Sequence, residues 1–182
     1  AWRDTHVLVR GGAVYGIQRA FLVDWYFVDR TLITGKRYYP AVSPKLSNNC
    51  LAQIVTSGPI TEWPDMMQGF VRVLLTARQY VYMETPYFLP SEPILFAIQT
   101  AALSGVDIRL MLPQRTDSRL LDQASKSYVR EILQSGAKIC FFNDGFNHSK
   151  FLVSDDSISS VGSSNIDFRS LEHNFESNIF FY

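Results

Sequence analysis

His148-Ser149-Lys150-Phe151-Leu152-Val153-Ser154-Asp155, followed by Gly162-Ser163-Ser164-Asn165 and then Asn174-Phe175-Glu176, is the stretch from which the rest of the 182-residue chain is read. Side chains alternate faces along a strand, so His148 and Lys150, two apart, share one face while Phe151 and Val153 point to the opposite, apolar one. After a turn at Asp155-Asp156-Ser157, Ser163 and Asn165 repeat the same spacing on the next expected strand. An imidazole, an ammonium, a hydroxyl and an amide are thereby expected on one patch.

That set suits a phosphodiester. A neutral imidazole can attack phosphorus or carry a proton to or from the leaving oxygen, and its ordinary pKa lies near working pH. Lys150 supplies a fixed positive charge, and Ser163 and Asn165 supply donors, where the equatorial oxygens gather charge in the transition state. Glu176 is the candidate acceptor for the second imidazole nitrogen, fixing tautomer and orientation as the acid of a triad does. The scheme needs no metal and no cofactor.

Taken singly, each residue has a plainer reading: a surface or core histidine, a turn after glycine, an exposed acid. Taken in this order, His148, Lys150 and Asp155 fit the HxKxxxxD signature of the phospholipase D superfamily, which the chain resembles. Gly162-Ser163-Ser164-Asn165 and Asn174-Phe175-Glu176 fit its GSxN and NxE extension. HxKxxxxD alone fixes three positions; the extension at matching spacing makes the resemblance specific. Asp155, past the strand end, reads as a structural turn residue rather than a catalyst.

Outward from the motif, the chain is 47% hydrophobic with 17 basic and 17 acidic residues, a globular composition with no net charge to draw nucleic acid. Two cysteines, Cys50 and Cys140, make neither a disulfide framework nor a metal cluster, and Cys140 in the apolar run 137–142 reads as buried packing. No apolar run approaches the roughly 18 residues of a membrane span. The opening Ala1-Trp2-Arg3-Asp4 has neither a methionine nor a signal peptide and reads as the start of a piece of a longer protein.

The pattern predicts a strand at Thr5–Val9 and an amphipathic helix at Ala13–Asp29 with Val14, Ile17, Phe21, Trp25 and Val28 on one side. A linker follows at 30–50. From Gln53 the chain alternates. A strand to Ser57 precedes a helix from Pro64 to about Arg78 with Met67, Phe70, Val71, Leu74 and Leu75 inward. Next come a strand at Tyr80–Glu84, a helix from Ser91 to Gly105, and a strand of Val106, Ile108, Leu110 and Leu112. A helix at about 118–136 burying Leu121, Tyr128 and Ile132 leads to a strand at Ala137–Phe142, then the motif strands and a last strand at Asn178–Tyr182. Strands joined by helices imply right-handed crossovers. The fold class is α/β, a mixed and mostly parallel sheet flanked by helices.

Beyond the motif, Trp2-Arg3-Asp4-Thr5-His6, Thr85-Pro86-Tyr87-Phe88-Leu89-Pro90, 101–107 and Asn165-Ile166-Asp167-Phe168-Arg169-Ser170 are similar to segments of bacterial cardiolipin synthases. The resemblance implies transfer of the phosphatidyl group of one phosphatidylglycerol to the glycerol hydroxyl of another, with glycerol released. It also implies two HxKxxxxD motifs in one protein, one histidine becoming a phosphohistidine while the other serves as acid and base. This sequence has one motif, and neither His6 nor His173 has a lysine two positions on. Residues 1–29 are therefore expected to be the tail end of a preceding phospholipase D-like half, and 51–182 the second domain.

By analogy the upstream motif supplies the nucleophile and His148 the acid and base, although either imidazole can attack. Asp4, placed before its strand as Glu176 is before its own, is expected to orient the absent first histidine. Tyr87 and Phe88 are candidates for an acyl or headgroup pocket, with a core role the better reading for Phe88. The implied partners are phosphatidylglycerol, a membrane surface, the upstream half and, for the isolated chain, a second copy across a twofold. The parent is expected at the bacterial membrane through an upstream anchor, and this chain by itself is expected to be soluble. A dimeric nuclease or phosphodiesterase of the same superfamily and an inactive structural half are the alternative readings.

Overall fold

The computed structural model describes residues 2–42 and 50–182; part of the expected linker, 43–49, lies outside the described residues. In chain order the elements are β1 (Trp2–Arg3), α1 (Val14–Asp29), β2 (Ala52–Ser57), α2 (Asp65–Thr76), β3 (Tyr80–Glu84), β4 (Phe88–Leu89), α3 (Glu92–Leu103), β5 (Asp107–Pro113), α4 (Arg119–Gln134), β6 (Lys138–Phe142), β7 (Phe146–Asn147), β8 (Phe151–Ser154), β9 (Ile158–Gly162), β10 (Ile166–Asp167), α5 (Phe168–Glu172) and β11 (Glu176–Phe181).

Seven strands form the main sheet in the order β2-β11-β9-β8-β3-β5-β6. β3, β5 and β6 pair in parallel, joined by α3 and α4, while β3–β8, β8–β9, β9–β11 and β11–β2 pair antiparallel. The mixed α/β sheet is as expected, but the parallel share is smaller than the sequence suggested: two pairings of six. The reason is local. Between β8 and β9 only residues 155–157 intervene, too short a connection for a crossover, which needs a dozen or more residues.

Alternation on β5 is clean. Ile108, Leu110 and Leu112 are buried against α3 and α4, while Arg109 and Met111 face the other way. The same side of the sheet carries Val81, Met83, Leu152 and Phe180, and with Met66, Phe70, Val73 and Leu74 of α2 and Leu171 of α5 they make one core. Each such fully buried side chain contributes about 1.5–3 kcal/mol against solvent exposure. In α2 the buried set is Met66, Phe70, Val73 and Leu74, one step round from the expected Met67, Val71 and Leu75 face; Met67 and Val71 only flank the core, and Leu75 is exposed. In α4 only Ile132 is fully buried, Leu121 and Tyr128 being half-covered.

Cys140 is exposed, not buried. It sits on the edge strand β6 opposite Met111, on the face away from the core helices. Its apolar neighbours in sequence could not reveal which face lay uncovered. On that face Asp107 accepts hydrogen bonds from Tyr82, Arg109 and Lys138, which holds its carboxyl well below the usual range.

The first 30 residues differ most from expectation. The strand is Trp2–Arg3, paired in parallel with Phe146–Asn147, and Thr5–Val9 belongs to no strand. α1 forms as expected but has no buried residue. Its Gly16 lies so close to Ile54 of β2 that a Cβ there would fall 2.6 Å from Ile54 Cγ1, while Val14, Ile17, Phe21, Trp25 and Val28 face outward.

Candidate active site

His148, Ser149 and Lys150 lie between β7 and β8, in no assigned strand, yet the chain there is held on both sides. The His148 N–H donates to Arg3 O at 2.8 Å, extending the β1–β7 ladder, and the Gly162 N–H reaches Lys150 O at 3.4 Å. The expected alternation survives. Lys150 Nζ lies 3.0 Å from His148 Nδ1 and donates to His148 O at 2.6 Å, so both side chains occupy one patch.

Asp4 Oδ2 stands 3.1 Å from His148 Nδ1. A carboxylate there calls for a proton on Nδ1, and one nitrogen cannot both donate to Asp4 and accept from Lys150. With Nδ1–H given to Asp4, the ammonium keeps its bond to the His148 carbonyl and Nε2 carries the lone pair. Burial pushes the Asp4 carboxyl up, but the hydrogen bonds from His148 and Thr5 and the Lys150 charge outweigh it, leaving the group below its ordinary value. Burial lowers the Lys150 ammonium, offset in part by the charges of Asp4, Glu176 and Asp167. Lys150 is 8% exposed and the His148 side chain 31%, so the imidazole is open to a substrate and the ammonium is sheltered beneath it.

Glu176 does not occupy the position expected of it. Among the described residues no hydrogen bond joins it to His148, and its carboxylate accepts only a long bond, 3.5 Å, from Asn174 Nδ2. The two acids have exchanged places relative to the sequence reading: Asp4 is at the imidazole and Glu176 is free. The cause is the β1–β7 pairing, which a two-residue strand decides and no local periodicity encodes.

Ser163 and Ser164 are held by the strand that follows them. Ser163 Oγ accepts from the Ser177 N–H at 3.0 Å while its own N–H donates to Ser177 O at 3.1 Å. Asn178 Oδ1 accepts from the Ser164 N–H, and Asn178 Nδ2 donates to Ser160 Oγ. Gly162 is required by this closeness, since a Cβ there would lie 2.1 Å from Asn178 Oδ1 and 2.3 Å from Ser177 O. Asn165 Oδ1 is buried with no hydrogen-bond partner. Asp155, at φ 53°, accepts from the N–H groups of Arg78, Gln79 and Tyr80 at 2.7, 3.0 and 2.8 Å, tying the far end of β8 to the start of β3.

Trp2, Phe146, Glu84 and Asn147 escaped the sequence reading as site residues, whereas Tyr87 and Phe88 were named in it. Trp2 and Phe146 wall the imidazole at ring-centroid distances of 4.8 and 5.8 Å, and Tyr87 stands 6.3 Å beyond Phe146. The Tyr87 hydroxyl donates a hydrogen bond to Asp117 Oδ1 at 2.8 Å, and burial with that bond pushes its phenol up to about 12. Phe88 is wholly buried. Beneath the site Asn147, also wholly buried, donates to Glu84 Oε2 at 3.1 Å and accepts from the Ser149 N–H, and Arg3 reaches Glu84 Oε1 at 3.7 Å. Thr5 Oγ1 donates to Ser149 Oγ at 2.9 Å. The sequence signal for Glu84 was an acid ending an otherwise apolar strand; Asn147 carried none beyond adjacency to His148. Among the described residues, no group of three His, Cys, Asp or Glu side chains gathers as a metal site, and no helix is long and apolar enough to cross a membrane.

Comparison with known proteins bears on the family and the fold. A cardiolipin synthase of Listeria monocytogenes is 42% identical over the whole chain, and the major cardiolipin synthase of Bacillus subtilis is 40% identical; the chain spans 38% of the length of each. Among solved structures, Nuc of Salmonella typhimurium, a phospholipase D family member, superposes with a TM-score of 0.62 at 19% identity, over 74% of this chain and 84% of that one. Phosphatidylserine synthase of Haemophilus influenzae gives 0.61 at 16% identity, over 90% of this chain and 40% of that one. These two likenesses speak to the fold. The family described as cardiolipin synthase, PLD-like domain, matches residues 70–182, from the middle of α2 through the whole His148 site to the end of β11, and the chain belongs to that family.

Proposed function

We propose that this chain supplies one of two imidazoles to a phosphatidyltransferase that makes cardiolipin from two molecules of phosphatidylglycerol. The observation that carries the reading is the line Asp4–His148 with Lys150 beside it: a carboxylate fixes the tautomer, a lone pair is left on Nε2, and a sheltered ammonium offsets the phosphate charge. In the first half-reaction one imidazole attacks phosphorus, forming an N–P bond. The P–O bond to glycerol breaks, and the other imidazole, as imidazolium, gives glycerol its proton. In the second, that imidazole takes the proton of the acceptor's glycerol hydroxyl, whose oxygen displaces histidine from phosphorus and closes the cycle. In this reading Lys150 supplies the charge, and Ser163 and Asn165 the donors, for the oxygens that gather charge in both steps.

His148 takes the acid–base part, and the nucleophile comes from an upstream half of the same protein. Glu176, unbonded to His148 and near Lys150, is free to orient that second imidazole, so each half lends its carboxylate to the other's histidine. The relatives' greater length supports a second half, as does the uncovered apolar side of α1. Phosphatidylglycerol presented at a membrane surface is the substrate of this reading, and no nucleic acid is involved.

The test is a thin-layer assay for cardiolipin and glycerol from labelled phosphatidylglycerol, on the chain alone and joined to the upstream half of its parent. The expected result is little or no synthesis by the chain alone, full synthesis with both halves, loss of synthesis in His148→Ala, and indifference to chelators. Losing a general acid costs about 10²–10⁴ in rate. Robust synthesis by a monomer of this chain refutes the two-imidazole cycle, and activity lost to a chelator and restored by a divalent ion refutes the histidine mechanism.

A further inference from the structure

Beyond the His148 site, a cavity of about 540 Å³ opens at the carboxyl end of β5, between that strand and the start of α4. Arg115, Arg119 and Lys126 line it beside the apolar Leu112, Val129 and Phe141. None of the three cations makes a salt bridge or a side-chain hydrogen bond among the described residues, whereas Arg109 and Lys138 on the neighbouring face are spent on Asp107. One acid, Asp122, also lines the cavity, but its Oδ1 accepts from the Thr116 hydroxyl at 2.7 Å and the Thr116 N–H at 3.2 Å. The cavity is thus a local excess of unpaired positive charge in a chain whose formal charge is zero.

We propose that this groove docks the phosphate of an anionic phospholipid, apart from the His148 site and beside it. Charge complementarity selects an anion, and the apolar lining, with Phe141 54% exposed, selects one that carries hydrocarbon next to its phosphate. A nucleic-acid backbone would ask instead for a cationic stripe several phosphates long. Position supports the assignment. Pro86 lines the groove, the next residue is Tyr87, and Tyr87 and Phe146 are the two rings that separate it from His148. A lipid held there keeps the mouth of the reacting site at the headgroup layer. The choice of a lipid as occupant rests on the phosphatidyltransferase reading; the anion site itself does not.

The test is flotation of the full chain with vesicles of phosphatidylcholine alone or mixed with phosphatidylglycerol, at fixed low salt. Each cation near an anionic surface is worth about fivefold in partition, so Arg115→Gln/Arg119→Gln/Lys126→Gln together should lose about a hundredfold on the mixed vesicles and nothing on the neutral ones. Arg10→Gln/Arg19→Gln/Arg72→Gln, the same charge removed from exposed positions elsewhere, should stay near wild type. Flotation does not depend on turnover, so loss of the catalytic reading in the separate cardiolipin assay leaves this result standing, and loss of this result leaves that reading standing. The single Arg119→Glu, checked for folding by circular dichroism, repeats the test without the triple change. Equal losses in both triple variants, or no loss in the groove variants, overturn the proposal. So does displacement from vesicles by inorganic phosphate or by a single-stranded oligonucleotide at matched phosphate concentration, which would make the site one for free phosphate or for nucleic acid.

Discussion

Replacing Asp155 tests the third member of the motif as a structural clamp, without any need for catalysis. Its carboxylate takes three backbone N–H groups, from Arg78, Gln79 and Tyr80, from a left-handed position at φ 53°. Discounted for its place at the surface, each such bond contributes about 1 kcal/mol, so the clamp is worth about 2–3 kcal/mol. Alanine also meets the steric cost of the left-handed region, about 1 kcal/mol or more, which asparagine and glycine largely escape. Asp155→Ala should therefore lose about 3–4 kcal/mol, Asp155→Gly about 2–3, and Asp155→Asn, which keeps one acceptor oxygen, about 1. In a chain of this size each kcal/mol moves the melting midpoint by about 2–4 °C.

The pH dependence has a definite sign. Burial raises the Asp155 carboxyl, but the Tyr80, Arg78 and Gln79 amides outweigh it and leave the folded pKa below the unfolded one. Its contribution is then fully present above the unfolded value of about 3.9 and is lost as pH falls through the depressed folded value. Urea titrations of the four proteins at neutral pH and again near pH 3 measure both effects. Alanine and glycine variants of equal stability would refute the strain component. An asparagine variant as stable as wild type at neutral pH, or a gap to wild type that widens on acidification, would refute the carboxylate clamp.

Other outcomes follow from the same geometry. Asp4→Ala should release the His148 tautomer, so that nitrogen-15 spectra show Nδ1–H in the wild type and a mixture in the variant; unchanged ring shifts would mean that Asp4 does not set it. Gly162→Ala should destabilise by at least about 2 kcal/mol, because its methyl would meet both Asn178 Oδ1 and Ser177 O, and a neutral effect in denaturant would contradict the close approach of β9 and β11.

The motif and most of the α/β order were legible in the sequence because they rest on local period and punctuation. Tyr80–Glu84 alternates and is a strand as read, and the helix read from about Ser118 starts there, with the Ser118 side chain capping it; α5, capped by Asp167, was not read. Ser91 stands at the start of α3, yet its hydroxyl turns to Met67 Sδ instead of capping. What sequence could not show was which elements meet. The Met66–Val73 face of α2, the uncovered face bearing Cys140 and the exchange of Asp4 for Glu176 at the imidazole all follow from docking between distant segments. Asp4 was recognised as a site residue from its place before a strand, but its histidine was misassigned because the pairing of Trp2–Arg3 with Phe146–Asn147 is decided in three dimensions.

That pairing separates readiness from stability. The segment delivering Asp4 reaches across 144 positions of chain, yet it is fastened by a two-residue ladder, the His148 amide, one hydroxyl pair and a partly exposed arginine. Lifting it away leaves the seven-stranded sheet and its core untouched, so it opens at a small fraction of the cost of unfolding. Amide exchange at His148 then reports this opening alone, well before the amides of β5 exchange. The supply of correctly protonated imidazole is governed by a docking equilibrium at the first residues of the chain, and whatever holds Trp2 and Arg3 in place sets how often the site is armed.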